Sequence, residues 1–346
     1  MINVYPMGQA HRIRRQPLAY ASIYGLLTDH VNIVNSPDAA DILLFAHPED
    51  VSDNAGKLID YLQDNKEKTV VLLSEEPFWD TVWGVNFMNR HQCLAHADNE
   101  LSFIYLNHHT SPIFQFSRIP YYLLAEYYFY SRYSYRFSRN ARLSITAWAK
   151  HFQNASLQAV FMARKRTQPR YSVRYDKQSV YGLSAYRTEL ADLYCKGEVL
   201  RQGTGWQEGV VRQDSEDWHL EKLLALDFRC RFVSALENTH QHHYVSEKFF
   251  DAFAVGAVPI YYADRQHSVH GIVPCDSWVN IYDLPASEAA VAVDQLIFDK
   301  EFLRYYADSQ MMLADLFNTP RILIEERERL ASSLLKELTD CLSYKI

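Results

Sequence analysis

Between Glu237 and Lys248 the chain gathers the side chains most able to do chemistry. They are Glu237, Asn238 and Thr239, then His240, His242 and His243, then Tyr244, Ser246, Glu247 and Lys248. Glu247 and Lys248 fall in the first turn of an expected helix, where unpaired N–H groups and the positive dipole end attract phosphate. A lysine suits that dipole poorly, and an anion brought by a ligand would compensate for it. Glu247 beside it could accept hydrogen bonds from ligand hydroxyls such as a ribose diol. The plainer reading makes Ser246 an N-cap and the next two residues a solvated first turn. The histidines lack the spacing of a strong zinc site and have no cysteine nearby, so a polar loop beside a ligand is expected rather than a metal. Arg164, Lys165 and Arg166 end a strand and Arg187 lies on a following helix. The guanidinium fork suits a diphosphate, although a single basic residue is more often a solvated surface charge. Glu75 and Glu76 end a strand in the other half. Adjacent carboxylates, partly desolvated, could act as a general base, or could be no more than loop acids or a cap. Gly203 and Gly205 do not make a dinucleotide fingerprint.

These residues need elements to position them. Phe232–Leu236 reads as a buried strand that stops in polar residues. Phe249, Phe250, Phe253 and Ala254 recur at helical spacing, and Gly256 sits where a helix-ending glycine belongs. Residues 258–262 read as the next buried strand. In open α/β sheets ligands bind at the carboxyl ends of the strands, which places the chemistry between Glu237 and Lys248. The N-terminal half shows strands at 2–5, 31–34, 42–45, 69–73 and 102–106, with helices at 18–27 and 55–62. This alternation predicts a mostly parallel, Rossmann-like sheet. A Tyr-rich segment from Tyr121 to Tyr135 and a helix at 143–152 are the expected connection between the halves. The tyrosines suit packing better than a glycan platform. The second half restarts with a strand at 157–162 and a helix at 185–194 capped by Ser184. A short strand at 198–200, a helix at 218–226, a strand at 278–282 and helices at 287–306 and 321–342 follow. Leu330, Leu334, Leu338 and Leu342 form one stripe of the last helix, set against the protein's own core.

The length of 346 residues suggests two domains, 1–152 and 153–346. A formal net charge of −7 argues against a general nucleic-acid binder. Five scattered cysteines without a CxxC pair predict reduced, mostly buried thiols. No run reaches the ~18 apolar residues of a membrane span, and no signal-peptide core opens the chain.

The central stretch resembles the α-1,3-fucosyltransferases of glycosyltransferase family 10. Leu236-Glu237-Asn238-Thr239 matches the family's F-E-N-S motif. Tyr244-Val245-Ser246-Glu247-Lys248 matches its Y-V/I-T-E-K motif, and Val258-Pro259-Ile260 its following strand. The six-residue step from Asn238 to Tyr244 is that of bacterial members. The clear match covers about residues 230–285. Leu236, Thr239 and Ser246 are mild departures, the His240–His243 insertion lies near the expected donor sugar, and the usual E-S-P segment is E-E-P at Glu75, Glu76 and Pro77.

The resemblance implies a GT-B architecture, two Rossmann-like domains facing across a cleft. The N-terminal one would bind the acceptor and the C-terminal one the nucleotide sugar. Arg187 and Lys248 would hold the donor diphosphate. Glu247, which also stands with the catalytic candidates, and Tyr244 would contact ribose and the sugar–phosphate region, and Asn238 would be the donor-site asparagine. The base would be Glu75 or Glu76, with Glu75 favoured. The implied reaction is inverting transfer of L-fucose from GDP-fucose to an oligosaccharide or glycolipid acceptor, such as a lipopolysaccharide core or O-antigen. The enzyme would be bacterial and cytoplasmic, at most peripheral at the inner membrane, since the chain lacks the anchor of Golgi enzymes. No cofactor or metal would be required, and a divalent cation would at most stimulate. The alternatives are a related transferase with a heptose, Kdo or hexose donor, or a non-catalytic glycan- or nucleotide-binding protein.

Overall fold

The computed structural model describes residues 1–206 and 216–343. It divides into two compact units, Met1–Glu126 with Leu323–Ile346, and Tyr127–Ile322. Both are α/β and built on parallel sheets, as expected.

In the first unit the elements run β1 (Ile2–Met7), α1 (Ala21–Tyr24), β2 (Val31–Ile33), β3 (Ile42–Phe45), α2 (Pro48–Asp64), β4 (Thr69–Leu73), α3 (Pro77–Trp83), β5 (His91–His96), β6 (Asn99–Leu106) and α4 (Tyr121–Leu124). Among the described residues its sheet has the order β2-β1-β3-β4-β6-β5, parallel except for the β5–β6 hairpin. Ile42, Leu43, Leu44 and Phe45 are all buried, as are Val70 to Leu73. Both faces of these strands are covered, which is why they read as continuous apolar runs. Helix α2 begins seven residues before the expected start at Ala55. Pro48 opens it and His47 Nδ1 accepts from Glu49 N at 3.2 Å, cap chemistry that lies upstream of the apolar periodicity. The hairpin strand β5 escaped the sequence reading because its burial does not alternate cleanly.

The second unit runs α5 (Tyr127–Asn140), α6 (Ile145–Asn154), β7 (Leu157–Met162), β8 (Arg174–Tyr175), β9 (Val180–Gly182), α7 (Ser184–Leu193), β10 (Val199–Gln202), α8 (Trp218–Leu226), β11 (Cys230–Ser234), β12 (Thr239–His240), α9 (Glu247–Ala254), β13 (Val258–Tyr261), β14 (Val279–Asn280), α10 (Ala286–Asp294) and α11 (Lys300–Phe317). The final helix α12 (Pro320–Ser343) starts here and continues in the first unit. The main sheet has the order β10-β7-β11-β13-β14, all parallel.

This division departs from the expected boundary at 152/153. The Tyr-rich α5 belongs to the second unit because Tyr133 is fully buried there and its hydroxyl donates to Asp251 on α9 at 2.7 Å. Most of α12 belongs to the first, because Glu326 accepts from Ser117 N at 2.8 Å and Arg327 donates to Leu124 O at 3.2 Å. The expected helix at 287–306 is two helices, α10 and α11. Ser184 is the first residue of α7 rather than its cap, since its hydroxyl donates to Asn238 O at 3.3 Å. Three of the five free cysteines, Cys93, Cys195 and Cys275, are exposed, so only Cys230 and Cys341 fit the expectation of buried thiols. Leu330, Leu334 and Leu338 are fully buried along α12, with Cys341 rather than Leu342 ending the stripe. No helix among the described residues is long and apolar enough to cross a membrane.

Candidate functional site

In the second unit the chain passes from β7 out to β10 and returns to β11 on the other side of β7. The topological switch point therefore lies between β7 and β11, where an open α/β sheet offers a crevice at its carboxyl edge. A pocket opens there, lined by Met162 and Ala163 at the end of β7, Ser234 and Leu236 at the end of β11, Arg187 of α7 and Trp206. Lys165 stands 4.3 Å over the Trp206 ring and pairs with Asp192 at 2.9 Å.

The expected site residues converge at the end of β11. Asn238 O accepts from Leu183 N at 2.9 Å, which ties the strand end to the start of α7. Arg187, one turn along α7 and largely buried, donates to Leu236 O at 3.5 Å. Ser246 caps α9, with its hydroxyl oxygen accepting from Lys248 N at 3.5 Å. Tyr244 is buried in the turn before the helix, its N–H donating to Gln241 O at 2.9 Å. At the far end of α9 Gly256 has φ +80°. Gly256 N donates to Phe253 O and Ala257 N to Ala252 O, which closes the helix in a Schellman motif.

Glu237 organises this cluster, and it was named in the motif but given no role. Its side chain is 3% exposed. It accepts from Ser246 N at 2.8 Å, from Ser246 Oγ at 2.8 and 2.9 Å, and from Lys248 Nζ at 2.9 Å. Lys248 Nζ also donates to Ser246 Oγ at 2.8 Å and lies 3.7 Å from Glu247 Oε1. Lys248 therefore has internal carboxylate partners in Glu237 and Glu247, in addition to any anion that a ligand would bring. The sequence signal was the Glu nine residues before a Ser cap, which no local periodicity connects. Burial works against the Lys248 ammonium, but Glu237 and Glu247 outweigh it and hold its pKa above the ordinary lysine value, while Arg187 pushes the other way. Burial likewise pushes Glu237 up, with Lys248 opposing. Arg187 and Lys248 are close enough to repel, an arrangement suited to a doubly charged anion.

Helix α9 is anchored from behind. Asp251 receives His219 Nε2 at 2.8 Å, Lys222 Nζ at 2.9 Å and the Tyr133 hydroxyl. Burial would raise this carboxyl, but Lys222 and His219 hold it well below the usual range. The Tyr-rich helix thus contributes a buried hydroxyl that fixes the candidate site's helix.

The histidines after Thr239 are each held by a hydrogen bond. His240 is buried in β12, paired with β9, and its Nδ1 lies 2.7 Å from Ser179 O. Burial lowers it to about 4, so the ring is neutral at pH 7. His242 Nε2 bonds Asp264 at 2.8 Å and His243 Nδ1 bonds Ser268 Oγ at 2.8 Å. Together they fasten the loop after β12 to the loop after β13.

In the first unit Glu75 and Glu76 follow β4 at the carboxyl edge of the sheet. Glu75 is 4% exposed. It accepts from Arg15 Nε at 2.6 Å, from the Tyr121 hydroxyl at 2.6 Å, and from the Tyr20 hydroxyl at 2.9 and 3.2 Å. Arg15 Nη2 lies 3.6 Å from Glu76, and its guanidinium stands 5.4 Å from the Trp79 ring. Sequence reasoning missed Arg15, Tyr20 and Tyr121, which arrive from a loop after β1 and from α4.

Residues 203–316 match the model of glycosyltransferase family 10 (fucosyltransferase), C-terminal part. The matched span includes Asn238, Tyr244, Glu247 and Lys248, and stops short of Arg187, Glu75 and Glu76. The chain is 27% identical over 79 residues to a 4-galactosyl-N-acetylglucosaminide 3-alpha-L-fucosyltransferase 9 of Homo sapiens, covering 22% of each protein. It is 30% identical over 54 residues to that of Mus musculus, covering 16% of this chain and 15% of the relative. The alignments thus span about a fifth of the length of these relatives. A solved structure of an alpha1,3-fucosyltransferase with GDP-fucose aligns at a TM-score of 0.44 and 14% identity, covering 89% of this chain and 81% of that one. Through residues 203–316, the segment that builds the Glu237–Lys248 cluster, the chain resembles glycosyltransferase family 10, the fucosyltransferase family.

Proposed function

We propose that the protein is an inverting glycosyltransferase that moves L-fucose from GDP-fucose to a hydroxyl of a bacterial surface glycan. The acceptor is an oligosaccharide or glycolipid of the lipopolysaccharide core or O-antigen type, and the enzyme works in the cytoplasm or at the inner membrane. The observation that carries this reading is the convergence of Arg187, Asn238, Glu247 and Lys248 at the carboxyl edge of β11, within or beside the matched span. Arg187 and Lys248 hold the diphosphate and stabilise the charge that grows on GDP as it leaves, a task metals perform elsewhere. Tyr244 and Glu247 contact the ribose and sugar–phosphate region. Glu75 or Glu76 takes the acceptor's proton while its oxygen attacks the anomeric carbon in line.

The test is a metal-free thermal-shift panel with GDP, GDP-fucose, GDP-mannose, UDP-sugars and CMP, on wild type and Arg187→Ala. A ligand bound only by the folded state raises the melting temperature by mass action. GDP compounds should shift wild type, GDP-fucose most. Arg187→Ala should lose ~1.5–3 kcal/mol of GDP binding, the range of a charge-assisted contact. A shift confined to UDP or CMP compounds would replace the donor. Native GDP affinity in the variant would remove Arg187 from the site.

A further inference from the structure

Glu75 presents a chemical problem if it is the base. Its carboxylate is almost wholly buried and already accepts from three donors. A sugar hydroxyl has little access to it. The three donors differ in what they can pass on. The Arg15 side chain is 41% exposed, but a guanidinium keeps its proton, and the two carboxylates beside Arg15 outweigh burial and strengthen that hold. The Tyr121 hydroxyl could exchange protons, yet Tyr121 is 4% exposed and packs against Phe114. Tyr20 alone among the three combines partial exposure with a phenol whose proton already points at both Glu75 oxygens.

We propose that Tyr20 is a catalytic relay between the acceptor hydroxyl and Glu75. The inference rests on the transferase reading above and deepens it. The acceptor O–H gives its proton to Tyr20 Oη as the Tyr20 proton passes to a Glu75 oxygen. The acceptor oxygen forms its bond to the anomeric carbon, and the carbon–phosphate oxygen bond breaks with its electron pair leaving on the nucleoside diphosphate. Glu75 ends protonated and Tyr20 ends as the neutral phenol it began as. Burial first, and the Glu75 charge second, hold Tyr20 well above the ordinary phenol value, so it carries a proton to give at neutral pH. Tyr121 and Arg15 are positioning residues that hold the carboxylate in place through their hydrogen bonds.

The experiment uses the full chain with GDP-fucose. GDP release is read in water alone and with a 4-galactosyl-N-acetylglucosaminide, the acceptor class in the relatives' name. Glu75→Gln should lose turnover by ~10²-fold or more. Tyr20→Phe should lose a similar factor in kcat with the KM for GDP-fucose unchanged. Tyr121→Phe is the matched control, since it removes one donor from the same carboxylate without cutting a relay, and should lose no more than ~10-fold. Equal losses in the two tyrosine variants would reduce Tyr20 to a positioning residue and overturn the relay. Full turnover in Glu75→Gln would remove its terminus. Where Tyr20→Phe does not fold, difluorotyrosine at position 20 keeps the shape and the hydrogen bond while changing the phenol's acidity. Turnover should change with it, and unchanged turnover overturns the relay. A wild type that releases no GDP under either condition would sink the transferase reading itself, whereas loss confined to Glu75→Gln sinks only the relay.

Discussion

Replacing Lys248 by Met removes one half of a buried ion pair and leaves the other half in place. Glu237, 3% exposed, would keep its bonds from Ser246 but lose the ammonium at 2.9 Å, and Glu247 would stand near it without an intervening cation. Breaking a fully buried pair from one side costs about 3–5 kcal/mol. Lys248 is 22% exposed, so water already screens part of the interaction, and ~2–4 kcal/mol is expected near pH 8. The cost should depend on pH in a definite direction. Burial raises Glu237, and Lys248 is the main influence holding it down. Without Lys248 it rises further, so the folded state binds that proton more tightly than the unfolded chain does. Stability of the variant then grows, relative to wild type, as pH falls through the raised value. Urea unfolding followed by tryptophan fluorescence, at pH 8 and pH 5, measures this on wild type, Lys248→Met, Glu237→Gln and the double variant. The penalty should shrink at pH 5, and the double variant should recover more than half of it at pH 8, a coupling of neighbours. A penalty equal at both pH values, with additive single variants, would refute the claim that Glu237 is the charge partner of Lys248.

Two further outcomes follow from single residues. Gly256→Ala should destabilise the second unit by ~1–2 kcal/mol, because φ is +80° there and an added Cβ would meet the Phe228 ring at 3.1 Å. Unchanged denaturation would refute that account of the helix end. Asp80 is buried and donor-bound by the Tyr105 hydroxyl at 2.8 Å, and burial pushes its carboxyl up to about 7. A carboxyl raised in the folded state costs stability as pH climbs from its ordinary value through the raised one. Asp80→Asn should therefore gain stability relative to wild type as pH rises from 5 to 8, by up to ~3 kcal/mol over that interval for a shift of this size. A gain that does not grow with pH in a denaturation series would refute it.

Several features were legible without coordinates because they are local. The apolar runs at 42–45, 69–73 and 157–162 are strands with those bounds, since burial on both faces writes itself as consecutive apolar residues. Ser246 and Gly256 bracket α9 because caps act within one turn of the residue that supplies them. Where the signal was weaker than the pattern, boundaries moved. Helix α2 starts at its cap rather than at its first apolar turn, and the run at 287–306 breaks after Asp294.

The amino-acid order alone thus determined the α/β class, the strand–loop–helix–strand unit around Lys248, and which residues at its strand end had the right chemistry. Tertiary structure decided who neutralises whom. Glu237 reaches Lys248 because β11 ends beside the first turn of α9, and Arg187 joins them because Asn238 O binds the start of α7. Arg15 and Tyr121 close on Glu75 across 60 and 46 positions, distances at which no periodicity carries information. The same holds for α12, which returns to the first unit through Glu326 and Arg327. Helical and strand patterns report on neighbours a few residues apart. The partner of a charge is set by which strand end and which loop the fold brings to the same edge of a sheet.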